Sequence, residues 1–368
     1  MKLWILSAST GGGHNMRANA LKEWWDTQHG QARVYHPLEK TFFGYRFGCW
    51  LYNLIQKNLP RAHSLYFHFL ERAALHRGPR RILGRKNFLK EYEEYAPHVV
   101  VSVHAHLNHG YFDMLRNSSG LKSKFSIYCG ELAYSKGFSR HWVNPEADAF
   151  FGPFEETCLA AQKHAMPANK CLVAGPLLRK AFYKKPSANP WECIRDTYGI
   201  SPNLPIYLLG TGANGVNQHA KVVRSFETMS KPCQLVALCG ENERIFRSLS
   251  ERPDHSVVRV LPLPTIGDTE MALFLRISQF LFARPGAGIT TEAISCGCPV
   301  VFDTTGGIMP QEQNNLNFWR KYADQLVTCS NPHRLGSIVD ELKTIPRVYF
   351  PLNESPAILL DAIKNLIG

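Results

Sequence analysis

The chain has 368 residues and a formal net charge of +12 at pH 7, with 45% hydrophobic and 20% charged residues. This length predicts about two domains, each with its own core, and the composition excludes wholesale disorder, collagen and coiled coil. No apolar run approaches the ~20 residues of a membrane-spanning helix. The ten cysteines form no CxxC pair, so we expect reduced thiols in a cytosolic protein.

Strand and helix patterns alternate from the first residues onward. Leu3–Ser7 is an apolar run too short for a signal peptide, and it leads into the cluster Gly11-Gly12-Gly13-His14 and then a helical pattern. Further strands are predicted at Val99–Val103, Phe125–Tyr128, Ala149–Phe151 and Lys170–Ala174. A polar segment with two prolines, residues 184–190, then predicts a domain boundary.

The second half repeats this alternation. Strands are predicted at Pro205–Leu209, Gln234–Cys239, Val257–Leu261, Gln279–Phe282 and Pro299–Phe302. Two doubly wound α/β domains therefore follow from the pattern. We expect an N-terminal domain over residues 1–183, a C-terminal domain over residues 184–350, and a helix within residues 351–368 that crosses back to the N-terminal domain.

Positive charge concentrates between Lys57 and Lys90, where nine Lys or Arg residues occur with one acid, Glu71. An aromatic segment, Phe42–Tyr52, precedes this region. Aromatic side chains beside basic ones suit an anionic membrane surface. The same residues suit nucleic acid, and a solvated basic face beside core aromatics is the third interpretation. The residues expected to face a membrane are Trp50, Arg61, Arg72, Arg80, Arg81 and Arg85.

Three glycine loops, each between a strand and a helix, carry the candidate chemistry. Such a loop lets the backbone approach a ligand, and the N–H groups of the following helix attract an anion. In the first loop, His14 either caps a tight turn or takes a proton from a substrate hydroxyl. The second loop, Gly210–Gly215, matches GxGxxG. This motif is only a weak indication of a dinucleotide-binding dehydrogenase, because the acid at the end of the next strand, Glu241, lies farther from the loop than the ~20 residues typical of that fold.

The third loop starts at Arg284-Pro285-Gly286 and leads into a helix that carries Glu292. A carboxylate one turn into this helix either accepts hydrogen bonds from both hydroxyls of a ribose or favours the helix dipole. Further on, Gln311 and Glu312 lie at another loop-to-helix junction. They either hold sugar hydroxyls or form an ordinary first helical turn.

Together these motifs resemble those of the GT-B glycosyltransferases. The resemblance rests on Gly-Gly-Gly-His after the first strand, the GxG loop, Arg-Pro-Gly-Ala-Gly followed by Thr-Glu-Ala and Gly-Cys-Pro, and Gln-Glu followed by Asn. They are most similar to the branch that contains plant monogalactosyldiacylglycerol synthase, bacterial processive diacylglycerol glucosyltransferase and the peptidoglycan N-acetylglucosaminyltransferase. The resemblance implies an α/β GT-B fold of two Rossmann-like domains that face each other across a cleft.

The resemblance also implies residue roles. His14 would be the general base, and Gly12 and Gly13 would lie in the acceptor loop. Glu131 stands where the family has an Asp, and the resemblance leaves the role of Glu131 open. On the donor side, the resemblance implies contacts with the diphosphate at Gly210, Thr211, Gly212, Ala287, Gly288 and Ile289, with the ribose at Glu292, with the sugar at Gln311 and Glu312, and with the base at Leu263 and Pro264.

The implied activity is an inverting transfer of a hexose from a UDP-sugar to a membrane lipid, without a cofactor or catalytic metal. Diacylglycerol is the expected acceptor, because the stretch Tyr45–Tyr66 resembles the acceptor-side segment of the diacylglycerol enzymes. We expect a cytoplasmic protein, peripheral on the inner face of the cell membrane, that binds no nucleic acid. The alternatives are a transferase acting on a polyprenyl-linked peptidoglycan precursor, a UDP-sugar 2-epimerase, and a basic nucleic-acid-binding protein.

Overall fold

The chain forms two compact units, each built on one six-stranded sheet. Unit 1 comprises residues 1–179, 309–314 and 353–368, and unit 2 comprises residues 180–308 and 315–352. The structure, a computed structural model, describes residues 1–9, 12–58, 72, 78–117, 123–132, 138–184, 189–210, 218–322, 325–341 and 355–368.

The sheet of unit 1 is wholly parallel, with the strand order β2-β1-β3-β4-β5-β6. Its strands β1 to β6 are Lys2–Leu6, Gln31–Tyr35, Val99–Ser102, Lys124–Tyr128, Ala149–Gly152 and Cys171–Val173. β1 pairs with β2 on one side and with β3 on the other, so the chain order reverses there. In doubly wound sheets, the crevice outside the carboxyl ends of two such strands is the usual ligand site.

Helices cover this sheet and bury one aromatic core. Helices α1 to α6 are Gly12–Gln28, Pro37–Lys40, Phe43–Asn58, Arg85–Tyr95, Gly110–Arg116 and Glu155–Lys163, and single 3-10 turns lie at Pro79–Arg81, Ala105–Leu107, Arg140–Trp142 and Ala168–Lys170. Trp4 of β1 is fully buried, with its ring centroid 5.1 Å from Tyr35, 5.2 Å from Phe88 and 5.7 Å from Tyr92. These rings fix α4 against the sheet.

The sheet of unit 2 is also parallel throughout, with the order β12-β11-β10-β7-β8-β9. Its strands β7 to β12 are Ile206–Leu209, Cys233–Gly240, Val258–Pro264, Phe280–Ala283, Val300–Asp303 and Val327–Cys329. Here the chain order reverses between β7 and β10. The crevice of this unit therefore lies at the carboxyl ends of those two strands.

The helices of unit 2 pack around a second core. Helices α7 to α14 are Lys180–Tyr183, Pro190–Tyr198, His219–Phe226, Glu243–Ser250, Asp268–Ile277, Ala287–Ser295, Pro310–Tyr322 and Leu335–Glu341, with a 3-10 turn at Pro332–Arg334. Of these, α13 has its first residues, up to Asn314, in unit 1. The rings of Tyr207, Phe226 and Phe280 meet in this core, with centroids 4.7–5.2 Å apart. The last helix, α15 (Ala357–Asn365), belongs to unit 1.

The predicted α/β class with two doubly wound parallel sheets is confirmed. Two strands that the sequence did not indicate, β2 and β12, each lie at one edge of their sheet. All ten cysteines carry free thiols. Within the described ranges, the helices are too short or too polar to cross a bilayer.

Candidate active site

The first candidate site lies at the reversal point of unit 1, where the glycine loop joins β1 to α1. Thr10 and Gly11 lie outside the described residues, while Gly12, Gly13 and His14 form the first turn of α1. Asn15 ties this turn to β1, because its Oδ1 accepts from Ser7 Oγ at 2.8 Å and its Nδ2 donates to Ser9 Oγ at 3.0 Å. These two hydrogen bonds hold the turn that carries His14 against the segment that follows β1.

The His14 ring has a defined orientation. Its Nδ1 lies 2.9 Å from the carbonyl oxygen of Val103, the residue that follows β3. A carbonyl can only accept, so Nδ1 carries the proton and the neutral ring exposes the lone pair of Nε2. Two further rings flank it: His104, at 4.5 Å between centroids and edge-on, and Trp142, at 5.9 Å. The geometry presents Nε2 as the basic atom.

Arg17, one helical turn after His14, shapes the electrostatics of this site. Its side chain is only 5% exposed, and its Nη2 donates to the Gly130 carbonyl at 2.6 Å. Burial, and secondly the Arg17 charge, lower the pKa of His14 to about 4, although the bond to Val103 acts in the opposite direction. His14 is consequently neutral at physiological pH.

Glu131 follows β4 in the same unit. Burial raises the pKa of the Glu131 carboxyl, and the nearby Arg17 charge partly offsets that rise. Arg17 therefore acts on two titratable groups, one from α1 and one from the segment after β4. The sequence indicated Glu131 but not Arg17. The spacing of Arg17 from His14, which places both residues on one helix face, is the pattern that could have indicated it.

Histidines continue away from His14 along the loops after β3 and β4. The centroid distances are 5.6 Å from His104 to His106, 5.0 Å from His106 to His141 and 6.3 Å from His141 to His109. Within the part of the chain that the structure describes, no group of three or more His, Cys, Asp or Glu side chains has the arrangement of a metal site. These histidines therefore form a continuous row of ring contacts.

The second candidate site lies at the reversal point of unit 2. Gly210 follows β7, and its N–H donates to Phe282 of β10 at 2.8 Å. A Cβ on Gly210 would lie 3.3 Å from the Cβ of Ala283, so the glycine permits this close approach. Thr211 and Gly212 lie outside the described residues.

Four residues after Ala283, helix α12 begins with Ala287, Gly288 and Ile289. The first N–H groups of a helix have no partner within it. Gly286, the N-cap, has no side chain that could accept from them. A helix start of this kind, with free N–H donors and the positive end of the helix dipole, can attract an anion; diphosphate binding at Ala287, Gly288 and Ile289 stays a prediction.

The loop before α12 is fixed by two polar side chains. Arg284 donates from Nη1 to the Thr305 carbonyl and from Nη2 to the Gly307 carbonyl, both at 2.8 Å. Asn315 Nδ2 donates to the Pro285 carbonyl at 2.6 Å. Sequence analysis did not give these residues a role. They hold the start of α12 in place.

The other predicted donor contacts in unit 2 differ in exposure. Glu292 lies on α12 and is 4% exposed. Leu263 is buried near the end of β9, whereas Pro264, the last residue of that strand, is exposed. Leu263 and Pro264 thus lie at the carboxyl end of β9, and one strand, β8, separates β9 from β7.

Gln311 and Glu312 lie in the first turn of α13. Glu312 Oε2 accepts from the Met309 N–H at 2.9 Å, which is the bond that an N-terminal glutamate makes in an ordinary capped helix. Gln311 Nε2 contacts the Met309 sulfur at 3.8 Å, and within the described residues its buried Oε1 has no partner. Glu312 therefore stabilises the turn, while Gln311 Oε1 is a buried acceptor without a partner among the described residues; sugar binding by the two residues stays a prediction.

Helix α3 presents an aromatic stripe to solvent, which we call the α3 surface. Phe43, Phe47 and Trp50 are 73%, 59% and 54% exposed. Their spacing places them on one helix face. Cys49, on the opposite face, joins the core of unit 1.

Of the arginines predicted to face a membrane, some are exposed and others lie outside the described residues. Arg72, Arg80 and Arg85 are exposed. Arg61 and the side chain of Arg81 lie outside the described residues. Leu83, 49% exposed, adjoins α3 because its N–H donates to Tyr45 Oη at 3.0 Å.

Comparisons with known proteins give similarity in sequence and in fold. No family model matches the chain. It is 24% identical over 338 residues to a probable chloroplastic monogalactosyldiacylglycerol synthase of Nicotiana tabacum, which covers 86% of this chain and 60% of that protein. It is 26% identical over 239 residues to a processive diacylglycerol beta-glucosyltransferase of Bacillus subtilis, covering 61% of this chain and 59% of that one. The chain thus spans about three fifths of these relatives.

Solved structures show the same fold. MurG of Acinetobacter baumannii superposes with a TM-score of 0.56 over 99% of this chain and 100% of that one, at 15% identity. The chain is therefore a relative of the glycosyltransferase branch of monogalactosyldiacylglycerol synthase and processive diacylglycerol glucosyltransferase, and its fold is GT-B.

Proposed function

We propose that this protein transfers a hexose from a UDP-sugar to diacylglycerol at a membrane surface. The similarity to a tobacco monogalactosyldiacylglycerol synthase and a Bacillus diacylglycerol glucosyltransferase supports this substrate class. The observation that carries the proposal is the His14 imidazole at the β1–β3 crevice, neutral and with its Nδ1–H bound to Val103. A neutral imidazole nitrogen can accept the proton of an uncharged hydroxyl.

The proposed reaction is a single displacement. The lipid hydroxyl oxygen attacks the anomeric carbon of the sugar, while His14 Nε2 removes the hydroxyl proton. The bond between that carbon and the diphosphate oxygen breaks, and UDP leaves with the electron pair. Attack opposite the leaving group inverts the anomeric configuration. The Val103 carbonyl stabilises the imidazolium formed on His14, because it accepts from Nδ1–H in both protonation states.

The leaving diphosphate would bind at the β7–β10 crevice. The first backbone N–H groups of α12, at Ala287, Gly288 and Ile289, would donate to it, and the absence of a side chain at Gly210 supports a close approach. A preorganised donor aimed at developing charge contributes about 3–4 kcal/mol to transition-state stabilisation. We propose that these donors replace a divalent metal. Glu292 would hold the ribose, Gln311 the donor sugar, and the end of β9 the base.

The α3 surface would bring unit 1 to the lipid. Large exposed aromatic side chains are costly in water and favourable in the interface region of a bilayer. Exposed Arg46, Arg72, Arg80 and Arg85 supply charge for anionic headgroups. We propose peripheral binding on the cytoplasmic side through this surface, and no nucleic-acid partner.

One experiment tests the activity. The full chain is incubated with UDP-glucose, UDP-galactose or UDP-N-acetylglucosamine and vesicles of phosphatidylglycerol that contain diacylglycerol, with and without EDTA. Mass spectrometry should identify a monohexosyl diacylglycerol, and proton NMR should give the inverted anomer. His14→Ala should lower kcat by about 10²–10⁴-fold, whereas the exposed-histidine control His333→Ala should not.

Other outcomes would contradict specific parts of the proposal. A 2-epimerised nucleotide sugar formed without lipid, or transfer to a polyprenyl-linked acceptor alone, would replace the substrate class. Wild-type turnover in His14→Ala would remove His14 from the mechanism. Loss of activity with EDTA that added Mg²⁺ restores would show that backbone donors do not replace a metal.

A further inference from the structure

The ring that contacts His14, His104, is buried and held in a fixed hydrogen-bonding state. Its side chain is 3% exposed, and its Nδ1 accepts from the backbone N–H of His106 at 3.3 Å, which caps the 3-10 turn Ala105–Leu107. Because Nδ1 accepts, the proton of the neutral ring resides on Nε2. The capped turn is thus formed with the Nε2–H tautomer of His104.

His14 has the opposite arrangement. Its Nδ1 donates to the Val103 carbonyl, which leaves Nε2 bare. Val103 and His104 are consecutive, so one short backbone segment fixes His14 twice, by a hydrogen bond and by an edge-on ring contact at 4.5 Å. Trp142 closes the site from the loop after β4, at 5.9 Å from the His14 ring.

The loop that presents His104 is itself anchored. Asn108 Nδ2 lies within hydrogen-bond distance of the carbonyls of His141 and Trp142, at 3.3 and 3.2 Å, and Asn144 Nδ2 donates to the Asn108 carbonyl at 2.6 Å. The two loops that carry His104 and Trp142 are therefore joined. A displacement of either ring would have to break these bonds.

We propose that His104 is a positioning residue: its neutral ring holds His14 in the orientation that directs Nε2 away from the backbone and toward the acceptor hydroxyl. This inference rests on the proposed function of His14 as the base. Among the described residues, the charged and titratable groups near the pair include Arg17 from α1, Glu131 after β4 across Arg17, and His106, whose ring centroid lies 5.6 Å from that of His104. His104 adds no charge, so it acts through contact with His14.

Two complementary variants test the ring contact with His14 and the capping hydrogen bond from the His106 N–H separately. His104→Phe keeps an aromatic ring and loses the acceptor for His106 N–H. His104→Asn keeps an acceptor near the position of Nδ1 and loses the ring. If the ring positions His14, His104→Asn should lower kcat by about tenfold to a hundredfold with the KM for the UDP-sugar nearly unchanged, because displacement of a catalytic group by about 1 Å has this effect. His104→Phe should retain most of the activity.

A direct measurement makes the test independent of turnover. Nitrogen-15 NMR of histidine-labelled protein should show His14 as the Nδ1–H form in the wild type and in His104→Phe, and as a mixture of both tautomers in His104→Asn. Equal kcat losses in the two variants, a loss in His104→Phe alone, or an unchanged His14 tautomer in His104→Asn would overturn the inference. If His14→Ala keeps full turnover, the proposed function fails, while the NMR result still decides the positioning.

Discussion

Arg17 occupies the space that a side chain at Gly130 would need: a Cβ on Gly130 would lie 2.0 Å from Arg17 Nε. Gly130 is fully enclosed, and its carbonyl accepts from Arg17 Nη2. The glycine after β4 and the arginine on α1 are thus mutually dependent, although they are 113 residues apart. This pair places a guanidinium beside the imidazole of His14, the proposed base.

Gly130→Ala should therefore displace Arg17. Overpacking of a buried site costs about 1–3 kcal/mol in the free energy of unfolding. Urea denaturation measures this loss. The matched control is Gly48→Ala on α3, where an added Cβ meets no atom within 4 Å; there the same change should stabilise the helix by about 0.5–1 kcal/mol. Equal stability of the two variants would contradict the packing described for Arg17.

The pH dependence of turnover should reflect the depressed pKa of His14. A base acts when deprotonated, so kcat/KM should fall as the pH drops through about 4, the pKa of His14. Arg17→Gln removes the nearby positive charge, so the pKa of His14 should rise and the acid limb should move to higher pH. Arg17→Lys keeps the charge and is the control. An acid limb that stays in place in Arg17→Gln would rule out this electrostatic role.

Membrane binding should depend on the α3 surface. The triple change Phe43→Ser, Phe47→Ser and Trp50→Ser removes the three exposed rings, and co-flotation with phosphatidylglycerol vesicles should decrease by at least about tenfold, since burial of one such ring contributes ~1.5–3 kcal/mol. Ile358→Ser on α15, a residue that is 46% exposed, is the matched control. Equal flotation of the triple variant and the control would place the lipid contact elsewhere.

Donor affinity should depend on Glu292. Glu292→Gln replaces a charged acceptor by a neutral one, and a hydrogen bond to a charged group contributes about 1.5–3 kcal/mol, so UDP binding should weaken by about tenfold to a hundredfold. Isothermal titration with UDP measures the change. Glu243→Gln, at an exposed ion pair on α10, is the control. If both variants bind UDP equally well, the buried Glu292 has only a structural role.

Acid should destabilise unit 2 through His219. This side chain is 1% exposed, its Nε2 donates to the Leu238 carbonyl at 2.8 Å, and burial lowers the pKa of His219 to about 4 from 6.5. Between these values the unfolded chain binds more protons, so stability falls as the pH decreases from 6.5 and the loss is complete below 4. At pH 5 the loss relative to pH 7.5 is about 2 kcal/mol.

The measurement for this prediction is urea denaturation at the two pH values. His219→Phe, which cannot titrate, should have a smaller difference in the free energy of unfolding between pH 5 and pH 7.5 than the wild type. The variant loses a donor for Leu238, which lowers stability equally at both pH values and leaves the difference interpretable. An identical difference in both proteins would assign the acid sensitivity to other groups.

Sequence patterns predicted the central strands because those strands are continuous apolar runs. Val99–Ser102 and Ile206–Leu209 are wholly buried, and their apolar runs predict strands clearly. The edge strand Gln31–Tyr35 was missed since Gln31 and Arg33 interrupt the apolar pattern, and Val327–Cys329 is only three residues long. A strand with one open edge needs fewer apolar residues, so its sequence signal is weaker.

The site was predictable where its motif is local. The glycine loop and His14 are contiguous, and so are Gly286 and the first turn of α12. The contact between His14 and the Val103 carbonyl joins residues 89 positions apart through a backbone atom, which no residue type indicates. The capping bond from Met309 to Glu312 also depends on a helix start that sequence places only within a few residues.

Every strand pairing within the described parts of both sheets is parallel. No such pair can form from a hairpin, because the chain must first complete a crossover before the next strand arrives. Each sheet thus depends on contacts distant in sequence, whose loop-closure entropy opposes early assembly. Refolding after dilution from denaturant should consequently be slow, and half-assembled chains should aggregate unless the protein concentration is kept low.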